Sequence, residues 1–138
     1  MKDYQKAVDN WIEKMGNEAW YGVDLDGTLA VYDGWHGPLH IGEPVLAMLE
    51  IVKDLINKGK IVKIFTARCS EPDLDLRKAG IEAIQDWTEK HLGVRLEVTN
   101  IKDYAMISLY DDRAIQVVPN TGVLMQDLVT LYKPFFPL

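Results

Sequence analysis

Tyr21-Gly22-Val23-Asp24-Leu25-Asp26-Gly27-Thr28-Leu29 is the stretch on which the reading of this chain turns. The apolar run from Ala19 to Leu25 has the composition of a strand, interrupted by Asp24 and followed by Asp26. Residues two apart in a strand face the same way, so both carboxylates are expected to emerge together at its carboxyl end. Gly27 lets the backbone turn there without a steric penalty. Two like charges side by side repel, and they settle with a cation between them or a proton on one. A hard divalent ion with oxygen ligands, such as Mg²⁺, meets that need. The plainer alternative is a polar strand end running into an Asp-Gly turn.

The flanking sequence bears on that choice. Upstream, Tyr4, Val8, Trp11, Ile12 and Met15 recur at helical spacing, which predicts an amphipathic helix over about residues 3–15 that ends at Gly16 and packs its aromatics on the sheet. The first strand is expected at about 20–25. Five glycines and prolines between 27 and 42 predict a loop. Glu43-Pro44 then opens a helix with Val45, Leu46, Leu49, Val52, Leu55 and Ile56 on its apolar face, ended by Gly59. Ile61-Val62-Lys63-Ile64-Phe65 reads as a β-branched strand that stops at Thr66.

Ser70 and Asp73 have capping-box spacing, so a helix should start near Glu71 and run to about His91, with a break near Gly80. Leu92-Gly93 closes it. Val94 to Val98 suits a short strand, and Asn100 to Asp103 a polar loop. Ala105 to Tyr110 is an apolar strand that runs into Asp111-Asp112-Arg113, and Ala114 to Val118 is a further short apolar run. The tail, about 123–138 with Pro134 and Pro137, reads as irregular. Strands alternating with helices predict a mainly parallel sheet covered on both faces, an α/β class with a Rossmann-like arrangement. In such sheets functional residues gather beyond the carboxyl ends of the strands. Asp24 and Asp26, Thr66, and Asp111 with Asp112 all fall at such ends.

Composition narrows the function classes. One domain spanning 1–138, its core about 18–120, is the expectation for 138 residues. Apolar residues at 48% and charged residues at 26% are ordinary for a globular protein. The net charge of −6 argues against a broad nucleic-acid-binding surface. Cys69 is the only cysteine, which excludes an intrachain disulfide and a thiolate zinc cluster. No apolar run approaches bilayer length, and the first residues do not read as a secretory signal, so a cytoplasmic location without membrane contact is expected.

The ordered set of motifs resembles the haloacid dehalogenase-like hydrolase superfamily. Asp24-Leu25-Asp26-Gly27-Thr28-Leu29 resembles its first motif, and Phe65-Thr66-Ala67-Arg68 its second. Lys102 stands where the third is expected, and Tyr110-Asp111-Asp112-Arg113 resembles the acidic fourth. The resemblance implies a Mg²⁺-dependent phosphomonoesterase. Asp24 would attack phosphorus to form an aspartyl-phosphate, and Asp26 would act as acid and then base. It also implies that Thr66, Ala67, Arg68 and Lys102 bind the substrate phosphate. The implied metal ligands are Asp24, Asp26 through its carbonyl, Asp111 and Asp112. Lys60 and Lys63 compete with Lys102 for its role, Arg68 is equally suited to pairing with an acid, and Cys69 reads as a bystander.

Many members carry a cap domain, whereas the intervals here are too short for one. A capless, open site favours bulky phosphorylated substrates, or a lid from a second copy in a homo-oligomer. Trp35, His36 and His40 sit in the loop before Glu43, placed to line the mouth. A narrower likeness, to the phosphatase half of polynucleotide kinases, suggests nucleotides or polynucleotide ends; the chain has no P-loop for the kinase half. Tyr132, Phe135 and Phe136 are candidates for an interface or for packing back onto the core. Two rivals remain. A response-regulator receiver shares the chemistry, but its acidic pair precedes the other clusters. A non-catalytic metal-binding or interaction module on the same fold is the other.

Overall fold

Four short strands form one all-parallel sheet in the order β3-β2-β1-β4. They are β1 (Trp20–Val23), β2 (Ile61–Phe65), β3 (Glu97–Thr99) and β4 (Met106–Tyr110). The helices are α1 (Lys2–Met15), α2 (Leu46–Asn57), α3 (Leu74–Leu92) and α4 (Met125–Tyr132). This computed structural model describes residues 2–132, without the side chains of Lys2, Tyr4, Lys14, Met15, Asn17 and residues 129–132. Tyr132, Phe135 and Phe136, the candidates for an interface or for packing back onto the core, lie outside the described side chains.

Register explains which side chains meet. Tyr21 pairs with Val62 and Val23 with Ile64, so Val23, Val62 and Ile64 share one face of the sheet. Leu49 and Val52 of α2 and Ile84 and Trp87 of α3 close over that face, and all of these residues belong to one buried cluster. Truncating such a residue, Ile84→Ala for example, costs about 2–5 kcal/mol. Both crossover helices therefore cover the same face. The opposite face carries Trp20, fully buried, with Lys63 Nζ 4.8 Å above its ring and its Nε1 donating to Asp103 at 2.8 Å. Residues 100–105 link β3 at one edge to β4 at the other, and Ala105 O accepts from Trp20 N. Half-buried Val8 and Trp11 of α1 border Met106 and Ile107.

Several boundaries differ from those read in the sequence, each for a local reason. β1 stops at Val23, because Leu25 O already accepts from Thr28, Leu29 and Ala30 in a tight turn. α2 begins at Leu46, two residues after Pro44, and Val45 offers no side-chain cap. α3 begins at Leu74, because Asp73 itself caps it, accepting from the backbone N–H of Asp75 and Leu76. It runs unbroken through Gly80, which is buried; a Cβ there would sit 3.6 Å from Pro38. A helix-interior glycine costs about 1 kcal/mol, and here that face seats the loop before α2. Val94 to Leu96 precede β3 rather than joining it. Ala114 to Val117 are exposed, and residues 125–132 of the tail are helical rather than irregular.

Among the described residues, no further helix or strand interrupts the loop from β1 to α2. Only a 3-10 turn, Ala67–Ser70, and α3 lie between β2 and β3. No helix among these residues is long and apolar enough to cross a membrane.

Candidate functional site

The carboxyl ends of β1, β2 and β4 converge on a cleft of about 400 Å³. Its floor holds Asp24, Asp26, Thr66 and Asp112. The β1–α2 loop supplies Tyr32, Trp35 and Pro38, and the turn and helix after β2 supply Arg68, Pro72 and Leu76. Arg113 stands on the rim.

Asp24 is fixed by the sheet itself, its N–H donating to Tyr110 O at 2.9 Å, which places it beside the residues that follow β4. Asp24, Asp111 and Asp112 each offer a carboxylate oxygen, and these oxygens lie within 4.8 Å of one another. Thr28 ties the corner together. Its hydroxyl accepts from Asp112 N–H at 3.0 Å and lies 3.0 Å from Asp112 Oδ1 and 3.4 Å from Asp24 Oδ2. Gly27, at φ +87°, lies directly against Asp112, where a Cβ would come within 2.7 Å of Oδ2. Only a residue without a side chain leaves that carboxylate where it is.

The crowding shows in the protonation equilibria. Burial, a hydrogen bond with Asp112 and the charge of Asp111 push the Asp24 carboxyl up to about 7. The hydrogen bond from Asp24, opposed by desolvation, holds Asp112 below the usual carboxylate range. The two partners are pushed apart, the more enclosed Asp24 up and the exposed Asp112 down. Three carboxylates of this spacing suit a hard cation. Mg²⁺ takes oxygen ligands at roughly 2.0–2.1 Å and accepts one or two carboxylates alongside waters.

Asp26 belongs to a different corner. Arg68 donates to both of its oxygens, Nε to Oδ2 and an NH₂ group to Oδ1, each at 2.8 Å. The same guanidinium reaches His40 O at 2.9 Å and Pro38 O at 3.4 Å, and its carbon lies 4.9 Å from the Trp35 ring centroid. Arg68 thereby pins the β1–α2 loop to the floor of the cleft, with only 8% of its side chain exposed. Thr66 is buried at the end of β2, held by its N–H donating to Thr99 O, and its hydroxyl accepts from Arg68 N–H at 3.1 Å. It caps the 3-10 turn and faces the cleft as well.

The structure thus brings Asp24, Asp26, Thr66, Ala67, Arg68 and Asp112 to one cleft, with Asp111 beside Asp24. It does not bring Lys102 there. Lys102 is exposed and absent from the lining, because its segment turns away to cross the second face, where Asp103 meets Trp20. Lys63 is engaged by Glu97 at 2.8 Å and by the Trp20 ring. Asp26 contributes no side-chain oxygen to the acidic group, in keeping with a ligand role assigned to its backbone carbonyl alone. Of the three loop residues expected at the mouth, Trp35 lines it. His36 instead contacts Asp33 at 3.1 Å, and His40 supplies a carbonyl. Sequence reasoning missed Thr28 as the tie of the acidic corner, although it stood inside the quoted stretch. It also missed Leu76, which no local pattern marks, and Tyr32, whose place in the same glycine- and proline-rich loop as Trp35 was the available signal. Burial pushes the Cys69 thiol up, with Arg77 opposing, which suits an inert cysteine.

No family model and no curated protein matches the chain. A solved structure of a conserved protein from Bacteroides thetaiotaomicron is similar at 20% identity and a TM-score of 0.47, covering 85% of this chain and 91% of that one.

Proposed function

We propose that the protein is a Mg²⁺-dependent phosphomonoesterase of the haloacid dehalogenase-like kind, working through an aspartyl-phosphate on Asp24. One observation carries the reading: a carboxylate at the end of β1 lies within 4.8 Å of two more from the end of β4, in a cleft that also holds a second aspartate and a buried threonine. Asp24, Asp111 and Asp112, with Asp26 through its carbonyl, would hold Mg²⁺, which would supply positive charge against the carboxylates and the incoming phosphate.

The residues then divide the work. Asp24 is the nucleophile. It forms a bond to phosphorus as the bond to the leaving oxygen breaks. The Thr66 hydroxyl, which accepts from Arg68 N–H, keeps its own proton to donate to a phosphate oxygen. Asp26 gives a proton to the leaving oxygen and later takes one from the attacking water. In the resting cleft both of its oxygens accept from Arg68, so a substrate phosphate that competes for the guanidinium frees Asp26 to carry that proton. Arg68 and Arg113 are the cations of the lining in this account, in place of Lys102.

A second reading, a cation-binding module without turnover, draws on one feature, the full engagement of Asp26 by Arg68. Hydrolysis of a panel of phosphate esters with and without Mg²⁺, wild type beside Asp24→Asn, separates the two. The phosphatase reading expects Mg²⁺-dependent phosphate release that falls on the order of 10³-fold or more in the variant. Equal release by both proteins ends it.

A further inference from the structure

The cleft has an apolar portion of its lining that phosphate chemistry leaves unexplained. Besides the carboxylates and Thr66, it carries Tyr32 and Trp35 on one piece of chain and Pro72 and Leu76 on another. These pieces are the β1–α2 loop and the start of α3, and they meet where Pro38 packs on Gly80. The aromatic and leucine side chains stay in solvent although a core lies nearby: Tyr32 is 48% exposed, Trp35 57% and Leu76 47%. Exposed apolar groups gathered at a cleft, rather than scattered, mark a binding surface.

Trp35 is also held in place. Its ring lies over the Arg68 guanidinium, which is itself locked to Asp26 and to two loop carbonyls. One guanidinium therefore separates the indole from the carboxylate assigned to protonate the leaving group. An aromatic wall ordered in advance loses little entropy when a ligand packs against it.

We propose that this apolar portion is a subsite for a flat heteroaromatic ring, so that the cleft takes nucleoside monophosphates, the ring against Trp35 and the phosphate at Asp24. The inference rests on the phosphomonoesterase reading of the same cleft. A volume of about 400 Å³ suits one small ligand. Charge selects a single nucleotide over a polynucleotide. The lining has two cationic side chains, Arg68 and Arg113, against the carboxylates of Asp24, Asp26, Asp112 and Glu71, so no basic track leads away from the site.

Adenosine 5′-monophosphate and ribose 5-phosphate share phosphate and sugar and differ in the ring. Their ratio of kcat/KM isolates the subsite from the chemistry. Wild type is expected to favour the nucleotide by about tenfold, the scale of a base stacking on an aromatic side chain. Trp35→Ala and Trp35→Leu should erase that ratio and Trp35→Phe should keep most of it. A ratio near one in wild type, or one that Trp35→Ala leaves intact, overturns the inference while the phosphatase reading stands. Calorimetric binding of adenosine 5′-monophosphate with Mg²⁺ to Asp24→Asn, with and without Trp35, covers the other case. If wild type hydrolyses neither ester, Trp35-dependent binding keeps the subsite and the phosphatase reading falls; binding indifferent to Trp35 removes the subsite too.

Discussion

Asp24 and Asp26 are two residues apart in sequence and sit in corners of opposite electrostatic character. Asp24 shares its corner with Asp111 and Asp112, and no described cation lies within ion-pairing distance of the three. Asp26 has a guanidinium across both oxygens. Burial alone does not separate them, since both aspartates are half-buried at the floor of one cleft. What differs is the chain brought alongside: β4 delivers two more acids to one corner, and the turn after β2 delivers an arginine to the other. One corner gathers three carboxylates with no ion-paired cation, and the other holds its carboxylate against a guanidinium.

The comparison can be broken most severely at Arg68. Arg68→Ala should lower turnover by about 10²-fold, at the lower end of general acid–base contributions. Arg68→Lys should recover little of it, because a point charge cannot span both Asp26 oxygens and two loop carbonyls. Rates of either variant near wild type would show that the neutralised corner is only structural.

The acidic corner is sharpened by heating the protein at two pH values. The Asp24 carboxyl is raised from 3.8 to about 7, so the folded state holds a proton that the unfolded chain has released. Stability from this group is complete below about pH 4 and is lost as pH rises through about 7. Mg²⁺ at a hundred times its Kd should add about 2.7 kcal/mol, or roughly 5–10 °C in Tm, at pH 8, and clearly less at pH 5. Gly27→Ala, whose Cβ would displace the Asp112 carboxylate, should blunt the gain at pH 8. Equal gains at both pH values in a calorimetric scan would contradict the account of this corner.

How far the sequence reaches follows from the range of each interaction. β2 was read with its observed bounds, because five consecutive residues carry the pattern between a glycine turn and Thr66. The helix ends at Gly59 and Gly93 are local too. The start of α3 was misplaced because Ser70 binds Ala67 O instead of capping, leaving Asp73 to do so. The pass through Gly80 depends on Pro38, and the Asp26–Arg68 pair joins residues 42 apart. Local patterns hold no trace of either. The same holds for Lys102, whose place depends on the path of a loop across the far face.

The most direct measurement needs no substrate. Beryllium trifluoride mimics a phosphoryl group on a carboxylate, and fluorine NMR with and without Mg²⁺ would follow its capture by wild type and by Asp24→Asn. The account predicts bound-fluoride resonances that require both Mg²⁺ and Asp24. Wild type with Mg²⁺ giving none, or Asp24→Asn giving the same resonances, would contradict it.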